Sequence, residues 1–434
     1  MAKKVAHIVT RPGRVLGDPE VTIPVAEDLT TVPGIPKRDK DVTFFSREYP
    51  LENMGVEESA SAEWAREIRR SYSQEAKEQY EKHDIAMEPI IEFIKESADW
   101  EPTAAPTGED VTEKIRQKAR ELGHGEVGFT QFDRHYVYQS RRQMLKPGLP
   151  HAICLALEQE FIPTQTIPSL YAESVHGGTY ERQGPLTMEL VDYIRSLGYR
   201  VQVSGPSLHY GPMIPMFVEA GLGQLGANGQ LLSPHFGSRA RLQILLTDAN
   251  VTYDQPIDYG IHQFCQVCQV CVNRCPGRAL MPEKVWYRGV EKNKLVFKRC
   301  RPVMANYLGC GICMKVCPIQ RYGMPAVMEH YVATGEVLGK GTDSLEGYTL
   351  PDKGYFGPGQ LPQFNAQFFN MPHGKAEDWL MIEFREKLET LSREERAQHE
   401  DELWTAFRQR VAASLSGQTA SVDMGMDAAI DRGI

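Results

Sequence analysis

The 434-residue sequence lacks the usual marks of a membrane-bound, exported or nucleic-acid-binding protein. It has no run of 18 consecutive apolar residues, so we expect no membrane-spanning helix. The opening MAKKVAHIVTRPGRV contains neither the apolar stretch of a secretory signal nor a twin-arginine pair, which predicts a cytoplasmic protein. No cluster of lysine and arginine is present, and the formal net charge is −9. These absences argue against a nucleic-acid partner.

The composition is that of a globular protein, with 41% hydrophobic and 24% charged residues. The length is sufficient for two or three domains. Residues 1–60 are rich in proline and charge, and we predict that they form an irregular arm. The sequence divides into an N-terminal arm and helical region at 1–105, an α/β core at 106–258, a cysteine-rich module at 259–325, and a C-terminal extension at 326–434 that is loop-rich and then helical.

The core region repeats one pattern, an amphipathic helix that ends at a glycine and is followed by a strand. VTEKIRQKARELGHGEVGFTQF predicts a helix that stops at Gly123 and then a strand, and ELVDYIRSLGYRVQV predicts a second such unit. HAICLALE and RARLQILLTD predict further buried strands. A longer helical pattern precedes the core at 58–98. Together these segments predict a mixed α/β fold.

Eight of the nine cysteines lie between positions 265 and 317. Disulfides are disfavoured because such bonds are rare in large cytoplasmic proteins. The ninth, Cys154, lies in an apolar strand and is predicted to be an inert buried thiol. The other eight form two groups, each followed by proline: Cys265, Cys268, Cys271 and Cys275, then Cys300, Cys310, Cys313 and Cys317.

The spacing of these cysteines is that of a two-cluster bacterial ferredoxin. In that motif three close thiolates bind one 4Fe-4S cluster, and the fourth cysteine binds the other cluster. Zinc is the alternative, although its sites generally use two separated pairs of ligands. The motif predicts two clusters, one held by Cys265, Cys268, Cys271 and Cys317 and the other by Cys300, Cys310, Cys313 and Cys275.

A glycine-rich segment precedes the cysteines, with Gly221, Gly223 and Gly226 in the order of a dinucleotide-binding motif. That motif requires a strand before the glycines, whereas the helix-like MFVEA stands there. The sequence therefore disfavours a nicotinamide cofactor. Glycine still permits close approach of another large cofactor to the backbone.

AGLGQLGANGQLLSPHFGSRARLQILLTD, followed by the two cysteine groups, resembles the cobalamin-dependent reductive dehalogenases and, more distantly, epoxyqueuosine reductase. GEVGFTQFDRHYVY and ELVDYIRSLGYRV extend the resemblance to about residues 110–325. It implies a nitroreductase-like α/β core that binds base-off cobalamin, with an inserted ferredoxin-like module carrying the two 4Fe-4S clusters. The residues that this resemblance places beside the cobalamin are Gly221, Gly223, Gly226, Asn228, Ser233, His235 and Phe236.

The same resemblance implies a tyrosine that gives a proton to the substrate, supported by a basic residue. The matching positions are Tyr180, in HGGTYERQG, and Arg241, in SRARLQ. A nearby cation favours the tyrosinate that forms when the proton leaves. Tyr171 and Tyr210 are competing candidates, and His209 is a candidate for orienting the substrate.

The expected function is the replacement of a carbon-bound halogen of a small organic substrate by hydrogen. This chain lacks the fused flavin and ferredoxin reductase of some dehalogenases, so an external ferredoxin or flavodoxin is the expected electron donor. An epoxyqueuosine-reductase-like or other non-halide cobalamin reductase is one alternative, but Val203 and Ser204 stand where the epoxyqueuosine reductase family has an aspartate. A non-catalytic electron carrier or corrinoid activator is another, although a carrier needs no large α/β core.

Overall fold

The computed structural model describes residues 1–11, 20–30, 72–137, 139–205, 208–287, 290–362 and 395. The helices predicted at 58–71 and 377–414 lie outside these residues, apart from Glu395. Within them, no helix is both long enough and apolar enough to cross a bilayer.

The described elements alternate between helices and short strands along most of the chain. The strands are β1 Val5–Arg11, β2 Val21–Ala26, β3 Glu126–Gln131, β4 His151–Glu158, β5 Val201–Ser204, β6 Gln224–Leu225, β7 Leu231–Leu232, β8 Ala240–Thr247, β9 Leu280–Tyr287, β10 Val290–Leu295, β11 Tyr348–Leu350 and β12 Gly354–Phe356. The α-helices are α1 Gln74–Ser97, α2 Thr112–Leu122, α3 Phe161–Gln165, α4 Leu170–Ser196, α5 Ile214–Glu219, α6 Ile261–Cys268, α7 Val270–Arg274, α8 Phe297–Asn306, α9 Ile312–Lys315, α10 Pro318–Tyr322, α11 Met324–Thr334 and α12 Asp343–Glu346.

A four-stranded sheet forms the centre of the core, in the order β3-β4-β8-β5. Every neighbouring pair is antiparallel, and Leu157 of β4 lies opposite Arg241 of β8. Helices α1, α2 and α4 bury apolar residues such as Ile115 and Leu190 with one face of the sheet. On the other face, α5 and the segment around Phe236 cover small and apolar strand residues. The predicted mixed α/β fold is therefore confirmed, in an antiparallel form.

Local sequence signals set the ends of the core helices. Helix α2 ends at Gly123, whose φ of +107° allows its N–H to donate to carbonyls of the last turn. Ser73 and Ser169 begin α1 and α4, and each hydroxyl accepts a hydrogen bond from the backbone N–H three residues later. The helix, glycine and strand predicted around Gly123 are confirmed, as is the buried strand HAICLALE, which is β4.

The N-terminal arm is not irregular throughout, and the prediction for residues 1–60 is wrong at 5–11 and 21–26. Strands β1 and β2 pair in the antiparallel direction, with Ile8 opposite Pro24. A proline is tolerated there because each strand of a two-stranded sheet has a free edge. Ile23 and Val25 are fully buried in a core shared with the cysteine-rich module. Burial of these alternating apolar residues therefore outweighs the proline and charge that suggested an irregular segment.

The cysteine-rich module is built from short helices and the β9–β10 hairpin. The sulfur-bearing segments include α6, α7 and α9, and the hairpin separates the two cysteine groups. Arg274, at the end of α7, is only 1% exposed. Its guanidinium donates to the backbone oxygens of Glu346 at 2.9 Å and Phe356 at 3.3 Å, and it lies over the ring of Tyr348. This buried cation therefore holds the segment 346–356, which follows the module in sequence, against the first cysteine group.

Candidate redox site

Four cysteines surround a small apolar cavity between α6, α7 and α10. Its wall contains Cys265, Cys268, Cys271 and Cys317, together with Phe264 and Ile319. Cys265 and Cys268 lie on one helix, and Cys317 directly precedes α10. The backbone N–H of Ala227 donates to Cys265 Sγ at 3.4 Å. The cavity therefore offers four sulfurs, with one backbone donor directed at a sulfur atom.

The other four cysteines line a separate, larger cavity. They are Cys275, Cys300, Cys310 and Cys313, and the cavity has a volume of about 320 Å³. This lies at the lower end of the roughly 300–1,000 Å³ of most small-molecule sites. The backbone N–H of Ala279 donates to Cys275 Sγ at 3.3 Å. The two cavities divide the eight cysteines into the same two sets as the ferredoxin crossover, while the ligand assignment itself stays a prediction.

These thiols are not ready to ionise on their own. Burial and the charge of neighbouring sulfurs raise the pKa of Cys265, Cys268 and Cys310 to about 12. A cationic partner must therefore stabilise the thiolate forms, as iron does when it is bound. Among the described residues, no three cysteine, histidine or acidic side chains are arranged to hold one metal ion. The sulfurs of each group surround a space instead.

Tyr180, His209 and Arg241 line one cavity beside the sheet, although they come from distant parts of the sequence. Tyr180 lies on α4 and Arg241 on β8, with the arginine Cζ 5.6 Å from the centre of the tyrosine ring. Arg241 Nε donates to Gln159 Oε1 at 3.1 Å, and Nη2 donates to the same oxygen. The three residues predicted to be catalytic are thus brought together, with the cation held over the tyrosine ring.

His209 and the competing tyrosines have distinct environments. Burial, with a smaller effect of the Arg141 charge, lowers the pKa of His209 to about 4, so the imidazole is neutral at pH 7. Its Nδ1 atom has no partner among the described residues. Tyr171 is 57% exposed, and the Tyr210 hydroxyl accepts a hydrogen bond from Gln202 Nε2 at 2.9 Å. Neither tyrosine lines the cavity that contains Tyr180.

Sequence reasoning missed a stripe of polar residues on α4. His176 Nδ1–H donates to Glu173 Oε2 at 3.0 Å, and the Tyr80 hydroxyl donates to Glu173 Oε1 at 3.1 Å. The His176 ring lies 5.5 Å from that of Tyr180. Burial and the Arg241 charge lower the pKa of His176. The signal was present in the sequence, because Glu173, His176 and Tyr180 follow each other at helical spacing.

Glu173 and His176 also line the cavity of the second cysteine group, as do Arg241 and Gln230. Arg241 and Gln230 are in addition part of the wall around Tyr180. Strand β8 and the turn before β7 therefore separate two adjoining spaces, one lined by cysteines and one by tyrosine and histidine. The second cysteine group and Tyr180 thus lie in the same part of the molecule.

Of the residues predicted to contact cobalamin, only Asn228 lines the described wall of the cavity that holds the second cysteine group. Asn228 lines the spaces of both cysteine groups. Gly221 has a φ of +67°, and a side chain there would lie 2.3 Å from the Gln255 carbonyl oxygen. Side chains at Gly223 and Gly226 would meet Leu232. The Ser233 hydroxyl donates a hydrogen bond to Glu126, and Phe236 packs against Gly125. His235 lines a third cavity, which also contains Glu126. Direct cofactor contact by these residues stays a prediction.

Two curated relatives agree with the expected resemblance, and no protein-family profile matches the chain. The sequence is 27% identical over 219 residues to tetrachloroethene reductive dehalogenase of Dehalobacter restrictus, covering 41% of this chain and 39% of that protein. It is 25% identical over 268 residues to epoxyqueuosine reductase of Escherichia coli, covering 51% of this chain and 68% of that enzyme. The chain thus spans about two-fifths of the length of the dehalogenase.

Two solved structures of reductive dehalogenases share the fold of this chain. A catabolic reductive dehalogenase in complex with 3-bromo-4-hydroxybenzoic acid superposes with a TM-score of 0.57 at 21% identity, covering 71% of this chain and 48% of the other. A reductive dehalogenase described as B12-dependent gives 0.52 at 20% identity, covering 65% and 47%.

The fold is the mixed α/β fold of the solved reductive dehalogenases. In sequence the chain resembles the reductive dehalogenases and, over a different share of its length, epoxyqueuosine reductase. The predicted resemblance is therefore confirmed.

Proposed function

We propose that this chain is the catalytic part of a cobalamin-dependent reductase that replaces a carbon-bound halogen of a small organic substrate by hydrogen. The observation that carries this proposal is the shared wall of two cavities. Arg241 and Gln230 line both the space of the second cysteine group and the space around Tyr180. Electrons and a proton are thereby directed to one place, as reductive cleavage of a carbon–halogen bond requires.

Two 4Fe-4S clusters are the proposed path for the electrons. Cys265, Cys268, Cys271 and Cys317 would hold one cluster, and Cys275, Cys300, Cys310 and Cys313 the other. In this proposal the module is ferredoxin-like and the sheet with its helices is a nitroreductase-like core. An external ferredoxin or flavodoxin supplies the electrons. Because the second cavity is the one that adjoins Arg241, its cluster is the one nearer to the substrate.

The proposed cofactor between this cluster and the substrate is base-off cobalamin. The wall of the large cavity offers amide groups for such a cofactor, from Gln159, Asn228 and Gln230. Bound there, cobalamin supplies a low-potential cobalt centre for the reduction, while the protein provides position, electrostatics and a proton.

The protein's own step is the delivery of a proton to the carbon that loses halide. Tyr180 is the proposed donor, and the Arg241 guanidinium over its ring stabilises the phenolate that remains. Gln159 fixes the guanidinium through hydrogen bonds to Nε and Nη2. His176, held by Glu173, packs beside Tyr180 and orients its ring. Neutral His209, in the same cavity, is the proposed contact that orients the substrate.

The test is halide release by protein loaded with iron, sulfide and cobalamin. Reduced viologen serves as donor, and the panel contains halogenated phenols and aliphatic halides, because one neighbouring structure binds 3-bromo-4-hydroxybenzoic acid. We expect halide to be released in equal amount to dehalogenated product, and only when cobalamin is bound. Equal rates with and without cobalamin, or no release from the whole panel by fully loaded protein, would contradict the proposal.

Reduction of a modified tRNA is the second candidate function. It is favoured by the match to epoxyqueuosine reductase, which covers more of this chain than the match to the dehalogenase does. Val203 and Ser204, at the position of that family's aspartate, are buried strand residues of β5 and supply no acid. We therefore expect no turnover of epoxyqueuosine-containing tRNA, and formation of queuosine by this protein would reverse the ranking.

A non-catalytic electron carrier, or an activator of a separate corrinoid protein, is the remaining candidate. Neither role uses a cavity lined by Tyr180, His209 and Arg241. The corrinoid content after reconstitution separates the cases, because a simple carrier binds none. We expect the corrinoid to remain bound through gel filtration, together with the iron.

A further inference from the structure

A cavity that the proposed function does not use lies between α2, the start of β3 and the end of β1. Its wall contains three arginines, Arg11 on β1 and Arg116 and Arg120 on α2, together with Glu126 on β3. The cavity has a volume of about 290 Å³. No cysteine and none of the residues around Tyr180 is part of its described wall.

Arg116 is fully occupied by protein groups. Its Nε donates to Glu113 Oε1 at 3.0 Å, its Nη2 donates to Asp254 Oδ1 at 3.0 Å, and its Nη1 donates to the Val127 carbonyl oxygen at 2.7 Å. Two of the three carboxyl groups in the cavity wall, those of Glu113 and Asp254, are thus paired with this one guanidinium. Arg116 therefore acts as a structural cation that joins α2, β3 and the segment at Asp254.

Arg11 and Arg120 have no such partners. Among the described residues, neither guanidinium makes a hydrogen bond or ion pair, and the Nε atom of each is buried without an acceptor. Burial and the like charges of Arg116 and Arg11 lower the pKa of Arg120. The two buried Nε–H donors without acceptors cost free energy, and the like charges of the two guanidinium groups repel each other. An anion bound between them would supply an acceptor and the opposite charge.

Glu126 adds a third group that is available to a ligand. It is only 4% exposed, and its Oε1 accepts a hydrogen bond from Ser233 Oγ at 2.8 Å. Its Oε2 has no partner among the described residues. Burial raises the pKa of Glu126 to about 7, although Arg11 acts against this shift. The protonated carboxyl, which donates a hydrogen bond, is therefore well populated near neutral pH.

We propose that this cavity binds a phosphate group between Arg11 and Arg120, with Glu126 as a further contact. Paired guanidinium forks match the oxygens of phosphate, and a phosphate has an oxygen left for the Glu126 carboxyl. Two sources share its chemistry, a free phosphate or phosphate ester and the phosphodiester in the nucleotide loop of cobalamin. With the first source the site is independent of the proposed dehalogenation, and with the second it rests on the proposed function. His235 of the SPHFG turn also lines the cavity. The sequence resemblance places this residue beside cobalamin, which supports the second source.

The first arm of the test uses inorganic phosphate with the full-length chain under anaerobic conditions. Calorimetric titration and the melting temperature are measured in wild type, Arg11→Gln and Arg120→Gln, with sodium chloride matching the ionic strength. Arg142→Gln is the control, because Arg142 is exposed and does not line the cavity. If free phosphate is the ligand, it binds wild type and Arg142→Gln alike. Each cavity variant then binds it at least about tenfold more weakly, as expected for loss of a charge-assisted hydrogen bond.

The second arm compares cobalamin with cobinamide, which has no nucleotide loop. If the cofactor is the source, Arg120→Gln weakens cobalamin binding by about tenfold or more and leaves cobinamide unchanged. If the source is a free phosphate, the ratio of the two affinities is the same in variant and wild type, and only the phosphate titration changes. The cobinamide measurement also separates this proposal from the previous one, because a protein that binds no corrinoid can still bind phosphate.

The proposal is overturned if Arg11→Gln and Arg120→Gln bind both phosphate and cobalamin as wild type does. It is also overturned if wild type binds no inorganic phosphate and binds cobalamin no more tightly than cobinamide. Loss of folding is a separate outcome that the melting temperature detects. Removing an unpartnered, partly buried cation should not lower the melting temperature without ligand. If Arg120→Gln does melt early, Arg120→Lys retains the charge without the fork and should still bind phosphate more weakly than wild type.

Discussion

The stability of this protein should depend on pH through Glu126, a buried carboxyl at the start of β3. The residue is 4% exposed, and its Oε1 accepts a hydrogen bond from Ser233 and lies 4.0 Å from His235 Nε2. Burial raises its pKa from the usual value of about 4.5 to about 7. The folded state therefore holds a proton on this group at pH values where the unfolded chain has already released it.

The sign and size of the effect follow from that shift. Because the pKa is raised on folding, the contribution of Glu126 to the free energy of unfolding is fully present below about pH 4.5 and is lost as the pH rises through about 7. Each pKa unit corresponds to about 1.4 kcal/mol, so the shift is equivalent to about 3 kcal/mol. That is a large fraction of the roughly 5–15 kcal/mol by which folded domains are stable.

The assay is the melting temperature of wild type and Glu126→Gln between pH 5 and 8.5, taken as a difference at each pH. Glutamine keeps the shape and stays neutral, so the advantage of the variant should grow with pH. Burial lowers the pKa of His124 and of His209 to about 4, which makes the protein less stable as the pH falls below about 6.5, but this acts equally in both proteins. Glu113→Gln, an exposed acid of the same cavity wall, is the control. A difference that stays constant from pH 5 to 8.5 would refute the reasoning.

Three further predictions concern the redox site. Tyr180→Phe removes only the hydroxyl, so it should keep both clusters and the corrinoid while halide release falls by about 10² to 10⁴; near-normal turnover would exclude Tyr180 as the donor. Arg241→Met should also lose activity and shift the pH profile to higher pH, because the cation that stabilises the phenolate is gone; an unchanged profile would argue against this role. Cys317→Ala should damage the cluster of Cys265, as seen by electron paramagnetic resonance, and leave the cluster of Cys310 intact; damage to the latter instead would refute the crossover.

Local sequence signals predicted the core well because they act over a few residues. Gly123 ends α2 through a positive φ that other residues rarely adopt, and the apolar run of β4 requires burial on both faces. The helix before Gly221 was expected from MFVEA, and α5 occupies that position. The division of the cysteines between two cavities also followed the spacing of the motif.

Features assembled from distant segments were not predictable in the same way. The β1–β2 pair is stabilised by burial of Ile23 and Val25 against the cysteine-rich module, a contact that no local pattern reveals. The arginine cavity combines Arg11 with Arg120, more than a hundred positions later in the sequence. The stripe of Glu173 and His176 had the right spacing, but its meaning depends on which cavity that face of α4 lines.

The most direct test of the central claim is the cofactor content of active, reconstituted protein, measured on the same sample as halide release. The account predicts about eight iron atoms with matching acid-labile sulfide. It also predicts about one corrinoid per chain, and turnover that rises in proportion to the corrinoid bound. Stoichiometric zinc without acid-labile sulfide, or iron-loaded protein that binds no corrinoid and releases no halide, would contradict it.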